Sequence, residues 1–349
     1  MNPVGTKPHA TNVALLTNAP HATRWKRWVR AMAPATIVLV LCFASYAWDG
    51  RQTTAVLRAA ITFASPLILC ALTGLVCERS GVVNIGIEGQ LLAGAFVSFF
   101  VSAKYGVFWG TLAGIATGVV LGLGLSVAAV KFKVDQIIAG TVVTILCFGL
   151  TSFLYKQGRV IKGRMPTIKI PGLSKIPLIG DLLFSNQVIT YLAFVSVFVV
   201  HFALFSTRWG LRTRAVGEHP SSADTAGINV NRLRLLNVAA AGGLAGLGGA
   251  FLSLQNASTF SRGMSANLGF LALALMITGR WRPFLTAAAA LFFGFCKGMA
   301  AQLQFKQVVN IPPQFVNALP YVLTLVALTV FSAKVRAPAA AGVPYEHEG

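Results

Sequence analysis

Residues 107–130 read VFWGTLAGIATGVVLGLGLSVAAV, an uncharged run of 24 residues. A helix needs about 20 such residues to cross the hydrocarbon core of a bilayer. Glycine recurs at every fourth position of the run, which places a groove free of side chains along one helix face, at Gly110, Gly114, Gly118 and Gly122. The run therefore predicts a transmembrane helix that packs closely on a neighbour, and a second small-residue cluster at 241–250 predicts the same.

Similar apolar stretches occur on both sides of this run. They cover residues 33–48, 59–77, 87–103, 136–155, 188–207, 235–254, 268–279, 283–301 and 314–333. Of the 349 residues, 55% are hydrophobic and only 11% are charged, whereas a soluble globular protein has about 25% charged residues. The sequence therefore predicts an all-α polytopic membrane protein of about ten transmembrane helices.

The charge of the chain is strongly basic, with 29 Lys and Arg against nine Asp and Glu, a formal net charge of +20. Nucleic-acid binding is a weak explanation because the mean hydropathy is +0.70. Lys and Arg are more frequent in the alternate loops that lie on the same side as the two termini. Cytoplasmic loops carry an excess of these residues, so both termini are expected in the cytoplasm. The expected cytoplasmic tails are residues 1–30 and 336–349. Residues 31–54 are expected to form an extra span with an outer connector, or else a cleavable signal sequence.

An unusual segment, ERSGVVNIGIEGQ at 78–90, separates two of the apolar stretches. Its three glycines favour a broken or re-entrant backbone, which is tolerated at membrane depth only when it is buried in protein or lines a cavity. Asn84 and Glu88 are then candidates for contacts along a translocation pathway. The alternative is a plain helix cap at Asn84.

The longest inner loop has a local architecture of its own. Pro220 suits the first turn of a short helix, and Gly227 suits its end. Arginines lie on both sides of this helix, so it is expected either to dock on a cytoplasmic partner or simply to fix orientation.

Other polar residues are more ambiguous. Thr141 and Thr144 either line an aqueous path or bond to carbonyls one turn back. Asn256 and Phe270 place a polar and an aromatic group near spans. No phosphate-binding loop, metal-ligand cluster or catalytic constellation occurs in the sequence.

Two motifs carry a resemblance to a known family. ERSGVVNIGIEG at 78–89 and RAVGEHPSSADTAGINV at 214–230 resemble the permease subunits of bacterial ABC importers, in the branch for simple sugars and nucleosides that is related to branched-chain amino-acid permeases. The resemblance implies a type II-like ABC importer permease architecture, with residues 55–335 as the permease domain. It also implies that residues 208–234, here named the coupling loop, contact an ATPase through Gly217, Glu218, Pro220, Asp224 and Gly227.

The resemblance further implies the partners. A multi-pass permease of the bacterial inner membrane would pair with a second permease, homologous or identical, two ABC ATPase subunits and an extracytoplasmic solute-binding protein. The chain itself would bind no cofactor, because ATP is held by the ATPase. The cargo would be a nucleoside or a simple sugar. The alternatives are a branched-chain amino-acid permease and an ion-coupled secondary transporter, while a membrane-bound enzyme lacks the clustered His, Asp or Glu it would need.

One basic outer loop does not follow the charge asymmetry. Its six cations are Lys156, Arg159, Lys162, Arg164, Lys169 and Lys175. We expect this loop to contact an acidic rim of the solute-binding protein.

Overall fold

The computed structural model describes residues 50–156, 158–169, 171, 179–306, 312, 314–316, 318, 320–322 and 336–346, and these are mostly helical. The chain divides into the units Met1–Thr53 and Thr54–Gly349, and nearly all described residues belong to the second. The expected span at 33–48 lies outside the described residues, as does most of the one expected at 314–333.

The first half of the described chain consists of four consecutive helices, with a π-helical turn, Val127–Lys131, extending the third. The four helices are α1 (Gly50–Arg79), α2 (Ile87–Tyr105), α3 (Val107–Ser126) and α4 (Gln136–Leu154).

The second half begins with a short hairpin and continues with further helices. Its elements are β1 (Thr167–Lys169), α5 (Ile179–Leu183), β2 (Ser185–Gln187), α6 (Val188–Ser206), α7 (Arg208–Glu218), α8 (Pro220–Thr225), α9 (Val230–Ala250), α10 (Leu268–Thr278) and α11 (Pro283–Lys306). A second π-helical turn, Phe251–Asn256, extends α9.

Six of the described helices are long and apolar enough to cross a membrane. They are Gln52–Arg79, Val107–Lys131, Gln136–Leu154, Val188–Ser206, Val230–Asn256 and Pro283–Gln302. The stretch expected as a span at 268–279 forms only the 11-residue α10, which rises about 16 Å and cannot cross a bilayer alone. The number of about ten spans therefore stays a prediction.

Helices α2, α3 and α9 meet where all three carry glycine. A Cβ atom added to Gly118 would overlap the carbonyl oxygen of Gly242, and one on Gly246 would overlap that of Gly114. One on Gly94 would lie 2.8 Å from the Cα of Gly246. The two small-residue clusters of the sequence thus pack against each other, backbone on backbone.

The β1–β2 hairpin is a departure from the all-α expectation. Its strands pair antiparallel, with Thr167 opposite Gln187 and Lys169 opposite Ser185. Pro166 precedes β1 and Pro171 follows it closely. Proline lacks an N–H and cannot continue a helix interior, so this part of the basic outer loop forms an extended segment instead.

Candidate functional site

The coupling loop contains the short helix that the sequence predicts. Helix α8 starts at Pro220, which occupies its first turn. It ends before Gly227, whose φ of +80° is the left-handed conformation that glycine adopts without strain. The Gly227 N–H donates to the Asp224 carbonyl at 2.8 Å. Asn229 then caps α9, because its Oδ1 accepts from the N–H of Arg232 at 2.9 Å.

The two faces of α8 differ. Ala223 is buried together with Val216 and Val230 in a small apolar cluster that lies apart from the main core. Ser222 and Thr225 on the other face are exposed. Helix α8 is therefore anchored on one side and presents small polar groups on the other, a surface that a partner can approach closely.

The start of the coupling loop is tied to the end of α1. A Cβ atom on Gly217 would overlap the carbonyl oxygen of Arg79, so the two backbones touch there. Arg79 Nη1 also lies 3.9 Å from Glu218 Oε1. The Glu218 side chain is 47% exposed, and such pairs contribute little stability, so the close backbone packing at Gly217 is the firmer of the two links.

The same end of α1 holds the turn between α10 and α11. The indole N–H of Trp281 donates to Glu78 Oε2 at 2.6 Å, and Arg79 Nη2 donates to the Trp281 carbonyl at 3.0 Å. Arg280 and Trp281 both have positive φ, at 54° and 52°. This strained turn is therefore fixed by two side chains at the end of α1, and one of them, Arg79, also pairs with Glu218 of the coupling loop. Nothing in the local sequence relates Trp281 to Glu78, so only the structure identifies this contact.

The backbone is not helical between α1 and α2, and most of this segment, here called the break, is buried. The Val83 N–H donates to Gln136 Oε1 at 2.7 Å. Asn84 is fully buried, and its Nδ2 donates to Gln90 Oε1 at 3.2 Å. Its Oδ1 has no hydrogen-bond partner within the described part of the chain. Asn84 therefore lies inside the protein, bonded across the break.

Glu88 has a defined structural task. Its two carboxylate oxygens accept from the N–H groups of Asn267, at 2.9 Å, and Gly269, at 2.7 Å. These N–H groups belong to the start of α10, where helical donors have no partner in their own helix. A negative charge is also favourable at a helix N-terminus. Glu88 thus caps a helix that follows it by about 180 residues.

The two threonines of α4 donate to backbone carbonyls one turn back, as one of the two interpretations of the sequence predicts. Thr141 Oγ1 donates to the Ile137 carbonyl at 2.8 Å, and Thr144 Oγ1 donates to the Gly140 carbonyl at 3.1 Å. Thr141 is exposed and Thr144 is half-buried. These bonds satisfy the hydroxyl protons but leave the oxygens able to accept.

Three of the proposed pathway residues, Asn84, Glu88 and Thr144, lie around the first turn of α2. A Cβ on Gly89 would lie 2.8 Å from the Cα of Thr144, and one on Gly269 would lie 2.6 Å from the Cα of Glu88. Phe270, next to Gly269, is 41% exposed. Asn256 does not join this group by any described contact. It ends the continuous helix Val230–Asn256, roughly 30 Å along the helix axis from Arg234, the last residue of the coupling loop.

Comparisons with known proteins show the family of the chain. Residues 56–328 match the family described as "Branched-chain amino acid transport system / permease component". The chain is 39% identical to a guanosine ABC transporter permease protein of Bacillus subtilis, over 83% of this chain and 96% of that protein. It is 36% identical to a nucleoside ABC transporter permease protein of Lactococcus lactis, over 82% and 94%. A putative glucose ABC transporter permease protein of Haloferax volcanii is 34% identical, over 78% and 90%.

No solved structure matches the chain. The family assignment therefore rests on sequence, on a match that spans most of the chain and on relatives well above 30% identity over nearly their whole length. The six apolar helices of the described residues suit a multi-pass membrane protein. The chain belongs to the family of ABC transporter permease components described as branched-chain amino acid transport system permeases.

Proposed function

We propose that the protein is the membrane-spanning permease of an ATP-driven importer for nucleosides, with guanosine as the first cargo to test. The similarity to a guanosine permease and a nucleoside permease supports this cargo. The observation that carries the ATP-driven mechanism is helix α8, which is exposed on one face and follows directly after α7, whose Gly217 packs against the backbone at the end of α1. A stiff element in contact with both an ATPase and the spans can transmit movement between them.

The proposal includes a location and partners. The chain would lie in the bacterial inner membrane with both termini in the cytoplasm, so that the coupling loop faces the ATPase subunits. A second permease, identical or homologous, would complete the pathway, and a solute-binding protein would deliver the cargo from outside. ATP would be hydrolysed on the ATPase alone.

Deleting the gene is expected to abolish saturable uptake of radiolabelled guanosine, and reintroducing it is expected to restore that uptake. Uptake should continue when the proton gradient is dissipated but ATP is kept, because the energy comes from hydrolysis. Radiolabelled glucose and leucine, measured in the same cells, are the controls. Loss of glucose or leucine uptake with intact guanosine uptake would overturn the nucleoside assignment.

A simple sugar is the second candidate cargo, because the chain also resembles a putative glucose permease. A branched-chain amino acid is the third, from the description of the family. An ion-coupled transporter has less support than the sequence alone gave it. Such a transporter needs an acidic residue within the membrane to couple to H⁺ or Na⁺, and the carboxylate of Glu88 already accepts two backbone N–H groups.

Replacing Gly227 with proline is expected to lower guanosine uptake at least about tenfold while the permease still reaches the membrane. Proline fixes φ near −65°, whereas Gly227 has φ +80° and donates to the Asp224 carbonyl. The last turn of α8 would therefore be lost. Uptake and ATP hydrolysis should be measured together on the reconstituted complex.

Gly227→Asn is the matched control, because asparagine tolerates positive φ better than other residues with a side chain. A Cβ at this position would meet open space. We expect this variant to keep most of its uptake. If Gly227→Pro transported as much cargo per ATP as the wild type, the coupling role of α8 would be refuted.

The basic outer loop is proposed to bind the solute-binding protein. Within its described part, Arg159 lies over the ring of Phe100, 4.1 Å from the centroid. That contact orients one cation on the surface. The remaining charge would give a docking affinity that weakens as salt is raised.

A further inference from the structure

The C-terminal segment, residues 336–346, lies across the start of α8 and the end of α7. The Ala340 N–H donates to the Gly217 carbonyl at 2.9 Å. The Ala339 N–H donates to Glu218 Oε2 at 3.3 Å. Two residues assigned above to the coupling loop are thus bonded to a segment more than 120 positions later in the chain.

The same segment is also bonded to residues just after the end of α1 and at the start of α9. The Gly342 N–H donates to the Gly81 carbonyl, in the break after α1, at 3.3 Å. The Val343 carbonyl accepts from Arg234 Nη1, on α9, at 2.8 Å. Arg234 is only 1% exposed, so this bond satisfies part of a buried cation. The C-terminal segment therefore connects both ends of the coupling loop with the break that follows α1.

Tyr345 extends the bridge to α8 itself. Its hydroxyl donates to Asp224 Oδ2 at 2.8 Å. Its ring packs on the apolar cluster formed by Val216, Ala223 and Val230. Helix α8 has only six residues, and isolated helices shorter than about 12 residues are marginal in water. Its stiffness must come from tertiary contacts, and Tyr345 supplies both an apolar and a polar one.

The last described contact of the segment is an ion pair at its end. Lys133 Nζ donates to Glu346 Oε1, and this hydrogen bond lowers the pKa of the Glu346 carboxyl below its usual value. Both side chains are exposed, so the pair contributes little stability. The position of the segment depends mainly on its backbone bonds and on Tyr345.

We propose that the C-terminal segment is a positioning element for the coupling loop, and that Tyr345 sets the orientation in which α8 meets the ATPase. This rests on the coupling role proposed for α8. Without Tyr345, α8 would keep Pro220 and Gly227 at its ends. It would lose the apolar contact and the hydrogen bond that Tyr345 supplies. Movement of the ATPase would then tilt α8 instead of shifting the spans attached to it.

The test uses the complete complex of permease, ATPase and solute-binding protein in proteoliposomes, with guanosine as cargo. It measures guanosine transported per ATP hydrolysed. We expect Tyr345→Ala to lower this ratio about five- to tenfold, and Tyr345→Phe, which loses one hydrogen bond, to lower it about two- to threefold. Val343→Ala is the matched control, because it changes an exposed neighbouring side chain and keeps the carbonyl that accepts from Arg234.

The ratio separates positioning from simple destabilisation, since a smaller amount of folded permease lowers transport and hydrolysis together. Tyr345→Phe keeps the ring in the cluster, so it remains informative if Tyr345→Ala does not fold. An unchanged ratio in Tyr345→Phe and in any folded Tyr345→Ala, with a lowered ratio in Gly227→Pro, would overturn the role of the segment alone. An unchanged ratio in Gly227→Pro as well would overturn the coupling assignment itself.

Discussion

Replacing Gly118 with leucine is expected to remove folded permease from the membrane almost completely. A Cβ at this position would overlap the carbonyl oxygen of Gly242, and it would lie 2.8 Å from the Gly246 nitrogen. Both neighbours are backbone atoms of α9, which cannot move aside as a flexible side chain would. Separating the two helices would also open the packing of α2, since Gly94 contacts Gly246.

Gly124→Leu is the matched control for this prediction. Gly124 lies on the same helix, and a Cβ there would meet nothing within 4 Å. The measurement is the amount of monodisperse permease after detergent extraction, compared at equal expression. We expect Gly124→Leu to resemble the wild type. A normal yield of Gly118→Leu would mean that α3 and α9 do not pack as closely as described.

The close packing of these helices shows how far the sequence can predict this fold. The four-residue glycine spacing identified the face of α3 that has no side chains. It did not identify the partner, because a smooth groove accepts any helix that is equally smooth. The second cluster, at 241–250, was visible, but its pairing with α3 depends on the connections of the whole chain.

The site shows a similar division between local and distant signals. Helix α8 was predictable because Pro220 and Gly227 act on the backbone around them. The contacts of the C-terminal segment were not predictable, because a tyrosine in a short polar sequence gives no sign of a partner at Asp224. Arg234, at the end of a basic loop, gives no sign in the sequence that its side chain is buried inside the protein.

Glu88 is the residue for which the local pattern was most ambiguous. A carboxylate between glycines in an apolar chain favours a translocation contact, since such residues are rarely placed in a membrane without a function. In the structure the Glu88 carboxylate instead caps the start of α10. The two interpretations differ in what a substitution changes, the stability of the fold or the affinity for cargo.

Replacing Glu88 with alanine is expected to destabilise the permease by about 2–5 kcal/mol, because two backbone N–H groups at the start of α10 lose their acceptors in a buried place. Glu88→Gln keeps one acceptor oxygen and should cost about half as much. Thermal unfolding in detergent measures the loss. Guanosine uptake per folded permease should change little, and its KM should stay the same.

Asp135→Ala provides the comparison that tests this interpretation of Glu88. Asp135 caps α4 by accepting from the N–H groups of Ile137 and Ile138 at an exposed site, where water replaces a lost acceptor and the cost is about 1 kcal/mol. A helix-capping role predicts that Glu88→Ala costs clearly more than Asp135→Ala and leaves the KM unchanged. A role in the translocation pathway predicts instead that Glu88→Ala unfolds at the normal temperature and has a raised KM for guanosine. Because both substitutions remove one carboxylate cap, a difference between them reflects burial of the N–H groups and not the charge removed.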